Sequence, residues 1–159
     1  MIDTSGRWAR IMLGLILLEQ FIYIGGCQSS PPPPLYDRLG GSVMITALTA
    51  DFVQEAWNDP RVNFTRKGTN AEWQPTPENI DRLEAHLTEY FEAATGGSQE
   101  YRGKDMRTAH ANMQISNAEF DAIVDDLGKS LSKYKVPAQE SSELLAIVQA
   151  TRKDIVQAN

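Results

Sequence analysis

From Leu35 onward, apolar residues return at three- and four-residue steps, and each run ends at glycine or proline. The clearest run is Ile80, Leu83, Leu87, Tyr90, Phe91 and Ala94. It is opened by Thr76-Pro77-Glu78, a cap, a proline for the first turn and an acid beside the positive helix end, and it is closed by Gly96-Gly97. A similar run follows Gly40-Gly41, with Ser42 as the expected N-cap of a helix reaching about Trp57. Val43, Ala47, Ala50 and Val53 mark its expected inner side, widened by Leu48 and Phe52, and Asn58-Asp59-Pro60 stops it. Ser116 and Glu119 form a capping box for a third helix bearing Phe120, Ile123, Val124, Leu127, Leu131 and Tyr134. Val136-Pro137 breaks that helix, and a last one carries Leu144, Leu145, Val148, Ile155 and Val156. A short helical segment is expected over Asp105–Asn112. No stretch alternates with a period of two. The expectation is an all-α domain of four main helices and one short one, with an irregular polar connection over Asn63–Pro75 that holds Phe64 and Trp73.

The first thirty residues have a different character. Arg7 and Arg10 precede the apolar run Ile11–Leu18, Phe21–Ile24 extends it, and Gly25-Gly26-Cys27 ends it in small residues. Basic, apolar, small is the layout of a secretory signal. The tetrad Ile24-Gly25-Gly26-Cys27 resembles the lipobox of bacterial lipoproteins, in which the cysteine is acylated and the signal is cut just before it. Cys27 is the single cysteine, so it has no intramolecular disulfide partner. Glu19 interrupts the run, which leaves an uncut anchor as the alternative; the run is also shorter than the ~20 apolar residues of a spanning helix. The expected organisation is a signal over residues 1–26, a proline-rich tether over 27–34 and one globular domain over 35–159. Pro31–Pro34 favours a stiff extended segment. The implied location is the cell envelope, facing the periplasm or exterior, with a membrane contact through lipid on Cys27.

A net charge of −6 argues against nucleic acid as a partner, since that binding demands clustered Lys and Arg. Motif chemistry is sparse: the domain has no phosphate loop, no paired-cysteine site and no nucleophile elbow. Asp125-Asp126 and Glu140 read as solvated acids on polar helix faces. The chain has two histidines. His86 falls on the flank of an apolar stripe next to Leu87, and His110 follows Met106 by one turn on the short helix. Taken alone, neither identifies a metal site.

Together, several stretches carry a resemblance. Leu35-Tyr36-Asp37-Arg38-Leu39-Gly40-Gly41, Asp59-Pro60-Arg61-Val62-Asn63, Phe120-Asp121, and the run from Gly96-Gly97 through Tyr101-Arg102-Gly103 to Met106 and His110 resemble group I truncated hemoglobins. The resemblance covers nearly all of Leu35–Val156. It implies a shortened globin, a two-over-two helical sandwich around heme b, with His110 as the proximal iron ligand through a neutral ring nitrogen. Met106 and Phe64 match positions against the porphyrin, and the apolar stripes, Phe91 among them, would line the pocket. The implied ligand is a diatomic gas: oxygen, nitric oxide or carbon monoxide.

The distal positions depart from that pattern. Val53 stands where many members have tyrosine, Leu87 where a glutamine is common, and Leu83 at the other frequently polar site. Without donors there, bound oxygen is expected to be held weakly. His86 matches the position from which some relatives supply a second histidine to iron. This leaves a bis-histidyl heme for electron transfer, redox sensing or nitric oxide detoxification as the alternative; nitric oxide dioxygenation would call for an external reductase. The connection over 63–76 is longer than in typical members, and Trp73 has no counterpart.

Overall fold

The computed structural model describes residues 30–157. The signal over 1–26, the small-residue tetrad and Cys27 lie outside the described residues. Among those described, every regular element is a helix. In chain order they are α1 (Leu35–Leu39), α2 (Gly41–Asn58), α3 (Pro77–Ala94), α4 (Met106–Ala109), α5 (Asn117–Lys133), α6 (Ala138–Ala150) and α7 (Arg152–Ile155). The four long helices are those expected. α2 packs on both α3 and α5, and α5 packs on α6.

Local chemistry sets most boundaries. Thr76 accepts from the Asn79 amide with Pro77 in the first turn, and Ser116 with Glu119 closes a reciprocal capping box. Asp105 caps α4 through the Thr108 amide at 3.0 Å. The start of α2 differs from expectation. Ser42 is not its cap: α2 begins at Gly41 behind Gly40, whose φ of 102° lets one residue end α1 and open α2. The Ser42 amide instead donates to the Tyr36 hydroxyl at 3.0 Å. The inner side of α2 is also partly rotated from the expected one. Leu48, Phe52 and Val53 are buried as expected, but Val43 is 85% exposed, and Ile45, Thr49 and Ala56 complete the inner side instead. Alanines and threonine carry too weak a polarity contrast to fix a helix face by pattern. The last expected helix divides at Thr151 into α6 and α7.

The core joins Ile45, Leu48 and Phe52 of α2 to Phe91 of α3, Leu127 and Leu131 of α5 and Leu144 of α6, with Leu35 and Leu39 closing one end. That end is where two of the singled-out motifs meet. The Tyr36 amide donates to the Thr95 carbonyl at 2.9 Å. A Cβ added to Gly97 would lie 2.8 Å from the Glu92 carbonyl oxygen and 3.0 Å from the Tyr36 ring. Glycine there is a packing requirement: it lets α1 lie against the end of α3. Arg38 secures the same corner by pairing with Glu140 of α6 at 2.8 Å and also with Glu143. Pro33 and Pro34 take part as well, since the Arg38 Nε–H donates to the Pro33 carbonyl and the Asp37 amide to the Pro34 carbonyl at 3.1 Å.

Two acids depart from the expected solvated state. Asp126 is fully buried on α5, and Glu140 is half-buried against Arg38. Asp125 is exposed, as expected.

Candidate functional site

An apolar cavity of about 500 Å³ lies among the helices, within the ~300–1,000 Å³ typical of ligand pockets. The eight residues expected at a heme site line it: Val53, Phe64, Leu83, His86, Leu87, Phe91, Met106 and His110. α2 and α3 contribute the first apolar group. Met113, Ile115, Phe120, Ile123, Val148 and Ile155 complete the lining from the later segments.

The two histidines differ sharply in setting. His110 closes α4 as its C-cap, and its amide donates to the Met106 carbonyl at 3.1 Å. Its Nδ1 lies 2.8 Å from that same carbonyl oxygen. A carbonyl only accepts, so Nδ1 carries the proton and Nε2 retains the lone pair. Burial pushes the imidazole below its ordinary value, and the nearby Arg66 charge adds to this against the Met106 hydrogen bond. The ring is therefore neutral at physiological pH, the state a metal requires. The Gln157 side chain donates to the His110 carbonyl at 2.7 Å, and Arg107 ties α4 to Asp154 of α7 at 2.6 Å. A four-residue helix is thus held from both ends. His86, in contrast, keeps 56% of its side chain exposed and sits 3.8 Å from Glu89 one turn on. It belongs to the cavity mouth, with Arg82 and Asn79.

The sequence reading missed the polar knot at the other edge. Arg66 lines the cavity and is 6% exposed, in the left-handed region at φ 54°. Its guanidinium donates to the Asn63 carbonyl, to the Met113 carbonyl at 3.2 Å and to Glu119 at 2.6 Å. Glu119 also accepts the Asn63 amide at 3.1 Å and the Ser116 amide at 3.2 Å. Burial alone would push this carboxyl up, yet Arg66 and the two amides hold it below the ordinary range. The long connection after α2 is therefore clamped to the α5 cap. The capping box was legible, but a second partner for its glutamate, 53 positions away, was not.

Among the described residues, no group of three His, Cys, Asp or Glu side chains is placed to hold a metal ion. A metal at His110 would thus need most of its ligands from elsewhere, and a flat, largely apolar macrocycle bearing four nitrogens fits such a cavity. The apolar walls would hold such a ring, Nε2 of His110 would be free to donate to its metal, and Arg82, Asn79 and His86 at the exposed edge would suit carboxylate substituents. A helical fold around such a cavity fits a heme-binding globin. The chain belongs to the bacterial-like globin family, whose description matches residues 34–157. It is similar to the group 1 truncated hemoglobin of Tetrahymena thermophila, 30% identical over 77% of this chain and 93% of that one. It also resembles the group 1 truncated hemoglobin GlbN of Mycolicibacterium paratuberculosis, 26% identical over 76% of this chain and 82% of the relative. Among solved structures, the Fe(III) form of Tetrahymena pyriformis truncated hemoglobin aligns with a TM-score of 0.67 at 28% identity, covering 78% of this chain and 98% of that one. The 2/2 hemoglobin of a Synechococcus, solved with covalently attached heme, aligns at 0.66 and 25% identity with the same coverage. The all-α fold is the two-over-two truncated globin, and heme b is the cofactor of such proteins.

Proposed function

We propose that the protein binds a diatomic gas at the iron of heme b, with His110 as the axial protein ligand. The observation that carries this reading is the half-buried, neutral imidazole of His110, whose Nδ1–H is engaged by the Met106 carbonyl while the ring lines an apolar cavity. When bound, heme supplies an iron with a coordination position for a small ligand. The chain supplies the rest. Met106 sets the tautomer and rotation of the ring, and Phe64, Leu83, Leu87 and Phe91 exclude water. Arg82 and His86 at the mouth would meet the carboxylates.

Val53 and Leu83 offer no hydrogen to a bound ligand, and Leu87 offers none either. Oxygen, which gains from such a donor, is held less well than nitric oxide or carbon monoxide, whose bonds to iron depend on it less. His86 is read as a mouth residue rather than an axial ligand, because it is more than half exposed and beside Glu89.

Absorption spectra of the heme-loaded protein test this. His110→Ala should lose stable heme, and His86→Ala should leave the ferric and ferrous spectra unchanged. A low-spin spectrum that turns high-spin only in His86→Ala would replace this reading with the bis-histidyl one, and redox chemistry would come first.

We further propose that the protein is held at the cell envelope by lipid on Cys27. The support is the basic, apolar, small-residue layout over Arg7–Cys27. Metabolic labelling with a radioactive fatty acid should mark the protein and fail to mark Cys27→Ser.

A further inference from the structure

Three aromatic rings run from the cavity wall to solvent. Trp73 and Phe64 both line the cavity, with ring centroids 5.5 Å apart, and the Trp73 indole N–H donates to the Phe64 carbonyl at 2.9 Å. Phe64 meets Trp57 edge-on, with centroids 5.2 Å apart and planes at 77°. Trp57, in the last turn of α2, is outside the cavity lining and 44% exposed. Its indole therefore touches Phe64 on one side and water on the other.

Indole and phenol rings are the side chains that most readily give up one electron at neutral pH, and loss of that electron makes the ring N–H or O–H strongly acidic. The oxidised ring that persists is the one whose proton has somewhere to go. The Trp73 proton faces a carbonyl, which is too weakly basic to take it. Trp57 is wet, so water takes its proton. A second aromatic pair leaves the cavity at Tyr90 and Tyr101, with centroids 5.6 Å apart, and the Tyr101 hydroxyl donates to the Lys104 carbonyl at 3.1 Å.

We propose that Trp73, Phe64 and Trp57 form an electron path from the pocket to the surface, and that at Trp57 a phenolic donor too bulky for the cavity is oxidised at the expense of hydrogen peroxide reduced in the pocket. The inference rests on the heme reading above. In the pocket, hydrogen peroxide takes two electrons and two protons, its O–O bond breaks, and two waters leave. Each electron comes from Trp57, which releases its indole proton to solvent and becomes a neutral radical. A phenol then returns one hydrogen atom to Trp57 and leaves as a phenoxyl radical. Two phenols are consumed per peroxide, and Trp57 is regenerated.

The full heme-loaded chain, its heme confirmed by absorption, is treated with hydrogen peroxide without a donor and digested for mass spectrometry beside a heme-free sample. Oxygen-added Trp57 is expected in the loaded sample alone and is suppressed by phenol. Trp57→Phe, a surface change that spares the fold, should lose the adduct together with oxidation of a phenol grafted on dextran. Tyr101→Phe should keep both. The proposal is overturned if loaded protein carries its oxygen on Met106, Met113 or Tyr101 with Trp57 intact. It is equally overturned if Trp57→Phe oxidises the dextran phenol at the parent rate. Failure to take up heme removes the underlying reading and this inference with it, whereas heme uptake with an unmarked Trp57 removes the inference alone.

Discussion

Replacing Glu119 with alanine would strip the cavity edge of its central acceptor. Arg66 keeps only 7% of its side chain exposed, so its charge would stay buried without its acid. The Asn63 and Ser116 amides would lose a carboxylate acceptor in the same step. Removing one partner of a buried pair costs about 3–5 kcal/mol, and the 17% exposure of Glu119 places this case near 3 kcal/mol. For a domain of this size about 4 °C accompanies each kcal/mol, so the melting temperature should fall by about 12 °C. Glu119→Gln keeps an acceptor of the same shape and should cost only about 1–2 kcal/mol. The native carboxyl sits below its unfolded value, so its contribution is complete above that unfolded value and disappears as pH falls through the native one. The gap between the parent and Glu119→Gln should therefore close on acidification. Thermal unfolding followed by far-ultraviolet circular dichroism, repeated from pH 7 to pH 3, reads all three quantities. A loss below about 4 °C in Glu119→Ala, or a gap that does not change with pH, would refute the claim that this pair clamps the long connection to α5.

Other expectations follow from single contacts. Gly97→Ala sets a methyl 2.8 Å from the Glu92 carbonyl oxygen and should cost about 1–3 kcal/mol, read by chemical denaturation. Val53→Tyr puts a hydroxyl into the pocket, where one hydrogen bond of about 1–1.5 kcal/mol should slow oxygen release about tenfold in stopped flow. Burial, with Asp59 beside it, pushes the Asp126 carboxyl up despite the pull of Lys129. The native state keeps that proton longer than the unfolded chain, so this group removes stability as pH rises from its unfolded value through its native one. Asp126→Asn should then raise the denaturation midpoint at pH 7 and leave it nearly unchanged at pH 3.

The site was legible to different depths. His110, Met106 and the apolar residues of α3 were identified through motif and stripe, and the structure gathers them at one cavity. Asp125 and Asp126 are neighbours in sequence, yet one is exposed and the other fully buried, because successive positions on a helix point about 100° apart. Arg66 carried no legible signal. An arginine in a polar connection reads as solvated until its partner is known, and Glu119 lies 53 positions away. On α2 the expected Leu48, Phe52 and Val53 are buried but Val43 is not, because small and β-branched residues surround that helix and packing against α3 and α5 decides which of them are covered.

Local sequence was enough to show that the domain is helical, where α3 and α5 begin, and which histidine follows the family pattern. These are properties of neighbours within one or two turns, where capping, proline geometry and the 3.6-residue period act. Tertiary structure decided what no local rule reaches. It set His86 at the exposed mouth of the cavity and His110 against an apolar wall, although His86 adjoins Leu87 and His110 lies one turn from Met106. It brought Tyr36 onto Gly97, Glu119 onto Arg66, and Phe64 between two tryptophans. Each of those contacts depends on how helices are placed by burying their common core, and that placement is a sum over the whole domain rather than a feature of any one segment.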